Sequence, residues 1–376
     1  MMQFRDLHVQ YEALKPEIDA GIQAVIDSTG FILGKPVKEL EDKLAAYVGR
    51  KHCVGVANGT EALQLSLMAM DIGPGDAVFT SDFTYFASAG CASIIGATPV
   101  LVDIDLDTFN MSPVALERQI EKVLAEGKLN PKVIIPVDLF GLPANMPEIE
   151  KIARKYGLFI LEDAAQGFGG QINGKLACSF GEMSATSFFP AKPLGCYGDG
   201  GAIFTDDDEV DARLRSLRAS GKSPEDKYDN REVGMNSRLD TLQAAILLPK
   251  FKAFKEYEVD AVNKIAGRYT DALKDKVVTP TVPEGYLSSW AQYTILLNDN
   301  EQRSAVQAKL KEKGIPSMIY YPRGLHQQKA YAWMKLSDED YPNTLAATQR
   351  VLSLPMHPYM KEEEQNFIIS SLLEVF

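Results

Sequence analysis

Between about residues 50 and 205, short apolar runs alternate with helical segments, and few folds accommodate that alternation. Residues 52–57, 77–80, 99–104, 133–137 and 158–162 read as strands. Residues 61–70, 85–95, 114–124 and 147–156 read as helices between them. Strands regularly interleaved with helices predict an α/β layer around a mostly parallel sheet, because each parallel return needs a crossover long enough to hold a helix. Ser112-Pro113 opens one of these helices with an N-cap residue and a proline in the first turn. Beyond residue 205 the texture changes. A long helical pattern covers about 240–273, Pro280 to Pro283 breaks it, 291–297 alternates like a strand, and 301–313 and 362–373 are helical. The boundary falls near 245–285. A large α/β domain over residues 1–250 and a smaller α+β domain over 251–376 are expected, which suits a chain of 376 residues.

Composition narrows the partners. A net charge of −12 argues against nucleic acid, whose phosphates call for a basic face. An anionic small molecule stays possible if a local nest of amides and a few cations receives it. The N-terminal residues lack the apolar core of a signal peptide, and no run approaches the ~18 apolar residues of a membrane span, so a cytoplasmic protein is expected. Cys53, Cys91, Cys178 and Cys196 are scattered without zinc or CxxC spacing and are expected to be buried thiols. The four histidines likewise suggest no metal site.

Three segments carry chemistry. Asn58-Gly59-Thr60-Glu61 follows a strand and opens a helix, where unpaired amides and the positive end of the helix dipole favour an anion. Alone, such a turn is most often an ordinary cap. Glu162-Asp163-Ala164-Ala165-Gln166 ends an apolar strand in carboxylates, at the edge where α/β sheets open their ligand crevice. A carboxylate there can keep a pyridine nitrogen protonated, or simply be solvated. The third is Ser187-Phe188-Phe189-Pro190-Ala191-Lys192-Pro193-Leu194-Gly195, running into Gly198-Asp199-Gly200-Gly201. A lysine held between two prolines in an apolar, glycine-rich setting should have a depressed pKa and more free amine than a surface lysine.

Taken in order, NGT, EDAAQ, SFFPAKPLG, GDGG and NSRLD resemble the DegT/DnrJ/EryC1/StrS family of nucleotide-sugar aminotransferases. The likeness runs from the opening FRDLHVQY to the late IYYPRGLHQQ and SLPMHPY. It implies a pyridoxal 5′-phosphate enzyme of the aspartate-aminotransferase (type I) fold, with pyridoxamine phosphate as the alternate cofactor form. By the same resemblance, Lys192 is the Schiff-base lysine and proton shuttle, and Asp163 pairs with the pyridinium nitrogen. Gln166 lies near the ring hydroxyl and Tyr85 stacks on the ring. Gly59, Thr60, Glu61 and Ser187 line the phosphate end, with Asn236 supplied by the neighbouring subunit of a homodimer. Arg238, Tyr320, Tyr321 and His326 are the substrate candidates. The alternative for Arg238 is a salt bridge to Asp240 or the subunit interface, and His326 could simply pack.

The resemblance further implies transfer of an amino group from L-glutamate to a keto-sugar nucleotide. Family members acting at sugar C3 tend to carry K-x-L-G followed by GDGG, as here, whereas those acting at C4 more often carry a glycine-asparagine-lysine sequence. The expected acceptor is UDP-2-acetamido-2-deoxy-3-oxo-glucuronate, serving a bacterial surface polysaccharide such as lipopolysaccharide O-antigen. A dTDP-3-keto-6-deoxyhexose is the alternative. Tyr320-Tyr321-Pro322, followed by Arg323, stands where the nearest members carry His-Tyr-Pro, and this bears on the sugar. Other classes fit less well. A dehydratase of this fold has histidine in place of Lys192, an NAD-dependent oxidoreductase would need the absent G-x-G-x-x-G, and a non-catalytic regulator would not need Lys192 and Asp163 together.

Overall fold

The structure is a computed structural model that describes residues 2–223, 225–226 and 228–376. Two N-terminal helices, α1 (Leu7–Ser28) and α2 (Lys35–Val48), precede the alternating region. That region then unfolds as β1 (His52–Val56), α3 (Gly59–Ala69), β2 (Asp76–Ser81), α4 (Ala87–Ile94), β3 (Thr98–Val102), α5 (Pro113–Glu126), β4 (Asn130–Ile135), α6 (Met146–Tyr156) and β5 (Phe159–Asp163). A small hairpin, β6 (Gln171–Ile172) and β7 (Lys175–Leu176), leads to β8 (Met183–Ser187), β9 (Gly201–Thr205) and α7 (Asp208–Leu217).

The main sheet has the order β1-β9-β8-β5-β4-β2-β3. β9 runs antiparallel to both neighbours, and the other strands run parallel to one another. Side-chain alternation assigns the two faces. Val54, Val56, Val78, Ile135 and Ile203 pack on the face covered by α3, α4 and α7. Cys53, Ala202 and Phe204 face α2 and a later helix, while Ala77, Phe79 and Ile134 face α5 and α6. All four cysteines are buried and unpaired. Ser112 holds the N-cap position of α5, but its hydroxyl makes no capping bond. Pro113 in the first turn supports that helix start instead.

The long helical pattern is one continuous rod, α8 (Thr241–Ala253) and α9 (Val259–Leu273), joined by a single π turn at Phe254–Glu258. The rod changes core along its length. Leu247 and Phe251 of α8 pack with the main sheet, whereas Val262, Ile265 and Tyr269 of α9 belong to the second core. That second core holds an antiparallel pair, β11 (Tyr293–Leu296) and β12 (Val351–Leu354), with α10 (Asn300–Glu312) and α12 (Glu362–Leu373) against it. β10 (Tyr286–Leu287) reaches back to pair with β6, and α11 (Pro342–Arg350) leads into β12. Among the described residues no helix is long and apolar enough to cross a membrane, and no cluster of histidine, cysteine and acidic side chains could hold a metal ion.

Candidate active site

The C-terminal ends of β1, β5 and β8 meet the start of antiparallel β9 on one edge of the sheet. Gly201 is the meeting point, opposite both Val56 and Ser187. A Cβ on Gly201 would lie 2.6 Å from the Asn58 carbonyl carbon, and one on Gly59 would lie 2.7 Å from Ser187 Cβ. Glycine at both positions lets the turn before α3 settle directly against the end of β8. Asn58 caps α3, its Oδ1 accepting from Glu61 N at 2.8 Å and its carbonyl from Ala62 N at 3.0 Å. The amides of Gly59 and Thr60 are left at the helix start without intrahelical acceptors, an anion cradle with the Ser187 side chain beside it. Glu61 contributes its backbone to this cap, and its carboxyl Oε2 is enclosed without a partner among the described residues.

Asp163 ends β5 and is 4% exposed. Its Oδ2 accepts from Ser88 Oγ at 2.7 Å and its Oδ1 from Ala165 N at 3.2 Å, with no cation bonded to it among the described residues. Burial holds its pKa above the usual carboxylate range, against the pull of Ser88, the Ala165 amide and Lys192. Such a group is poised to accept a cationic N–H. Gln166 is fixed at both ends, its Oε1 accepting from Phe140 N at 2.9 Å and its Nε2 donating to Tyr321 Oη at 3.1 Å. Tyr85 stands 59% exposed.

Lys192 lies in the loop between β8 and β9, its backbone N–H donating to Phe189 O at 2.8 Å. Its amine makes no hydrogen bond or ion pair among the described residues. Burial draws its pKa down to about 8, with Asp163 opposing and Arg5 adding to the fall. Apoprotein should therefore capture pyridoxal phosphate faster as pH rises, half-maximally near 8, when followed by absorbance. A half-rise near ~10.4, the solvated value, would show an ordinary lysine.

These residues fit pyridoxal phosphate on their own chemistry: an amide cradle for a phosphate, a buried carboxylate lacking a cation, and a free amine between them. The loop before α8 lies close by, since Ser237 Oγ accepts from Ala57 N at 3.2 Å. Asn236 is exposed, and the Arg238 side chain has no partner among the described residues.

The remaining candidates lie in the segment between α10 and α11. Tyr320 and Tyr321 sit edge to face at 5.8 Å, and Phe4 packs edge-on against Tyr320. Arg323 is exposed and opens onto a cavity of about 420 Å³ shared with Arg303 and Gln327. His326 has both ring nitrogens engaged: Nδ1 with Asp82 Oδ2 at 2.6 Å and Nε2 with Asp338 Oδ1 at 2.9 Å, its ring stacked on Tyr341. That leaves the ring no free polar atom for a substrate, so His326 joins the end of β2 to the 325–341 segment. Ser88 and Asp82 were not singled out by the sequence. Neither lies in a motif, and only folding brings them to their partners.

Residues 12–373 match the DegT/DnrJ/EryC1/StrS aminotransferase family. The chain belongs to that family. It is 45% identical over 373 residues, 99% of each chain, to the UDP-2-acetamido-2-deoxy-3-oxo-D-glucuronate aminotransferase of Pseudomonas aeruginosa. A crystal structure of a DegT DnrJ EryC1 StrS aminotransferase from Brucella abortus superposes with a TM-score of 0.96 at 47% identity, covering 100% of this chain and 99% of that one. The crystal structure of S. venezuelae DesV in complex with ketimine intermediate gives 0.93 at 34% identity, covering 99% and 97%. The architecture is the type I α/β fold of pyridoxal-phosphate transferases.

Proposed function

We propose that this protein is a pyridoxal-phosphate sugar-nucleotide aminotransferase that moves the amino group of L-glutamate to the C3 keto group of UDP-2-acetamido-2-deoxy-3-oxo-glucuronate. The observation that carries the chemistry is the free amine of Lys192 beside the buried, cation-free carboxylate of Asp163. The substrate rests on the full-length 45% identity to the Pseudomonas aeruginosa enzyme.

When bound, the cofactor supplies the electron sink that stabilises negative charge at the carbon bearing the transferred amine. The chain supplies position and proton handling. The Gly59 and Thr60 amides and the Ser187 hydroxyl would hold the phosphate, and Asp163 would hold the ring nitrogen in its protonated form. Tyr85 covers one face of the ring, giving orientation at low entropic cost. Gln166, itself fixed by Phe140 and Tyr321, keeps one amide N–H for the ring hydroxyl. The Lys192 amine would take a proton from the substrate carbon and return it two atoms along, a 1,3-shift that its lowered pKa suits. Arg238, whose side chain has no partner among the described residues, would meet a substrate carboxylate with its planar fork. In this reading Asn236 and Arg238 act across a homodimer, and the enzyme works in the cytoplasm in surface-polysaccharide synthesis.

The test is turnover with L-glutamate and the UDP-3-keto-uronate, compared with a dTDP-3-keto-6-deoxyhexose. Ping-pong kinetics with a kcat/KM at least ~10²-fold higher for the uronate is expected. Preference for the dTDP sugar would sink the substrate assignment while leaving the chemistry intact.

A further inference from the structure

Behind Asp163 lie two more carboxyl groups that the reaction does not use. Glu162 precedes it on β5 and points to the other face of the strand. Asp138 follows β4, in the segment whose backbone pairs with the end of β5: Asp138 N donates to Asp163 O at 3.0 Å, and Asp163 N donates to Pro136 O at 2.9 Å. Both side chains are 0% exposed.

Each carboxyl has one oxygen satisfied by a backbone amide. Asp138 Oδ1 accepts from Ala144 N at 2.9 Å, and Glu162 Oε2 accepts from Phe180 N at 3.0 Å. Among the described residues, the second oxygens, Asp138 Oδ2 and Glu162 Oε1, are buried and make no hydrogen bond of normal geometry; the Cys178 amide lies close enough to favour the Glu162 carboxylate, and the two carboxyls interact with each other. Gly167 crowds the pair from the far side, where a Cβ would come within 2.3 Å of Asp138 Oδ2.

The other charged or titratable groups facing the pair are Asp163, Cys178, Tyr286 and Arg50. Arg50 directs its guanidinium to Phe180 O, Gly181 O and Asp206, so it neutralises the pair only at a distance. Burial pushes both carboxyls above their usual range, and the Glu162 charge pushes Asp138 further. Two dry carboxylates facing each other without a donor repel strongly, whereas one shared proton turns the contact into a charge-assisted hydrogen bond.

We propose that Asp138 and Glu162 share a single proton between their two open oxygens, forming a singly charged positioning pair that anchors the Asp163 backbone and supports positive charge on the group Asp163 holds. The second half of this rests on the cofactor reading above; the shared proton does not.

The sign of the pH effect follows from proton counting. The native state keeps one proton that the unfolded chain releases near ~4. The pair's contribution to stability is therefore full below that value and is lost as pH rises through its raised folded pKa. The experiment compares wild-type holoenzyme with Asp138→Asn, Glu162→Gln and the double variant. Near neutral pH in D₂O, the infrared spectrum of wild type should show a protonated-carboxyl C=O band that Asp138→Asn lacks. Thermal melts should show the midpoint falling with pH in wild type relative to Asp138→Asn, whose amide N–H replaces the shared proton and cannot be lost.

In turnover, Asp138→Asn, which keeps the single negative charge on Glu162, should hold kcat near wild type. The double variant, with no charge left, should lower kcat about tenfold with little change in KM. A C=O band that survives in both single variants, or parallel melting curves for wild type and Asp138→Asn, would overturn the shared proton. A normal kcat in a folded double variant would overturn its electrostatic role. If wild type itself shows no turnover, the aminotransferase reading falls, while the infrared and melting results still decide the pair.

Discussion

Lys192→Ala should abolish turnover, by about 10⁴-fold or more, while leaving the fold and the phosphate cradle in place. The size follows from two losses at one atom. The alanine removes the only amine that the site presents without a hydrogen bond or ion pair among the described residues, and so removes covalent capture of the cofactor. It also removes the base that moves the proton. Borohydride reduction of the loaded wild type should leave the cofactor on the peptide that contains Lys192, and reduction of the variant should leave none. Thermal melting should change little, because the wild-type amine contributes no bond to the structure and its burial opposes its charge. The nearby buried amine, Lys250, is also drawn down to about 8 by burial, but it lies over the Tyr197 ring and is attracted to Glu258. If Lys250 rather than Lys192 retained the label, the site assignment would be wrong even with the family intact.

What the sequence made legible, and what it hid, divides by range. Strand ends and helix starts are local, so the Asn58-Gly59-Thr60 turn, the carboxylate end of β5 and the Lys192 loop could be placed from neighbouring residues alone. The C-terminal helix α12 at 362–373 was read with its observed bounds because its polarity pattern is local too. Antiparallel β9 was harder to see. Its residues look like any buried strand, and its direction is set by its partners β1 and β8, 145 or more and about 20 positions away in the chain. The two N-terminal helices carry no strand–helix alternation, and α1 holds Pro16 within it. They form because α1 and α2 lie against α8, which arrives some 200 residues later.

The hidden site residues follow the same rule. Ser88 looks like a small residue in a helix until the fold sets its hydroxyl 2.7 Å from Asp163, and His326 looks free until Asp82 and Asp338 close on it. Glu162 and Asp138 are separated by 24 positions, and nothing in either segment signals that they touch. A motif can name the residues that meet a ligand. The residues that hold those residues are named by packing.

Asp163→Asn tests that division most directly, since it keeps shape and removes charge. The asparagine oxygen can keep the Ala165 amide while its NH2 donates to the Ser88 hydroxyl oxygen, so the fold should survive with a melting temperature close to wild type. It cannot offer a negative oxygen to a cationic ring nitrogen. Removing one partner of a buried charge pair costs about 3–5 kcal/mol, which corresponds to a kcat lower by ~10²–10⁴-fold. Cofactor absorbance should shift toward the unprotonated ring while the covalent link at Lys192 persists. Ser88→Ala offers a graded version. It deletes one hydrogen bond to the carboxylate, worth roughly 1.5–3 kcal/mol to the charged form, so Asp163 should protonate at higher pH. The acid limb of the kcat profile should then move upward, because activity needs Asp163 ionised and is lost as pH falls through its pKa. An Asp163→Asn enzyme within threefold of wild type would mean that the buried carboxylate is a structural acid, and that ring protonation is maintained by some other group.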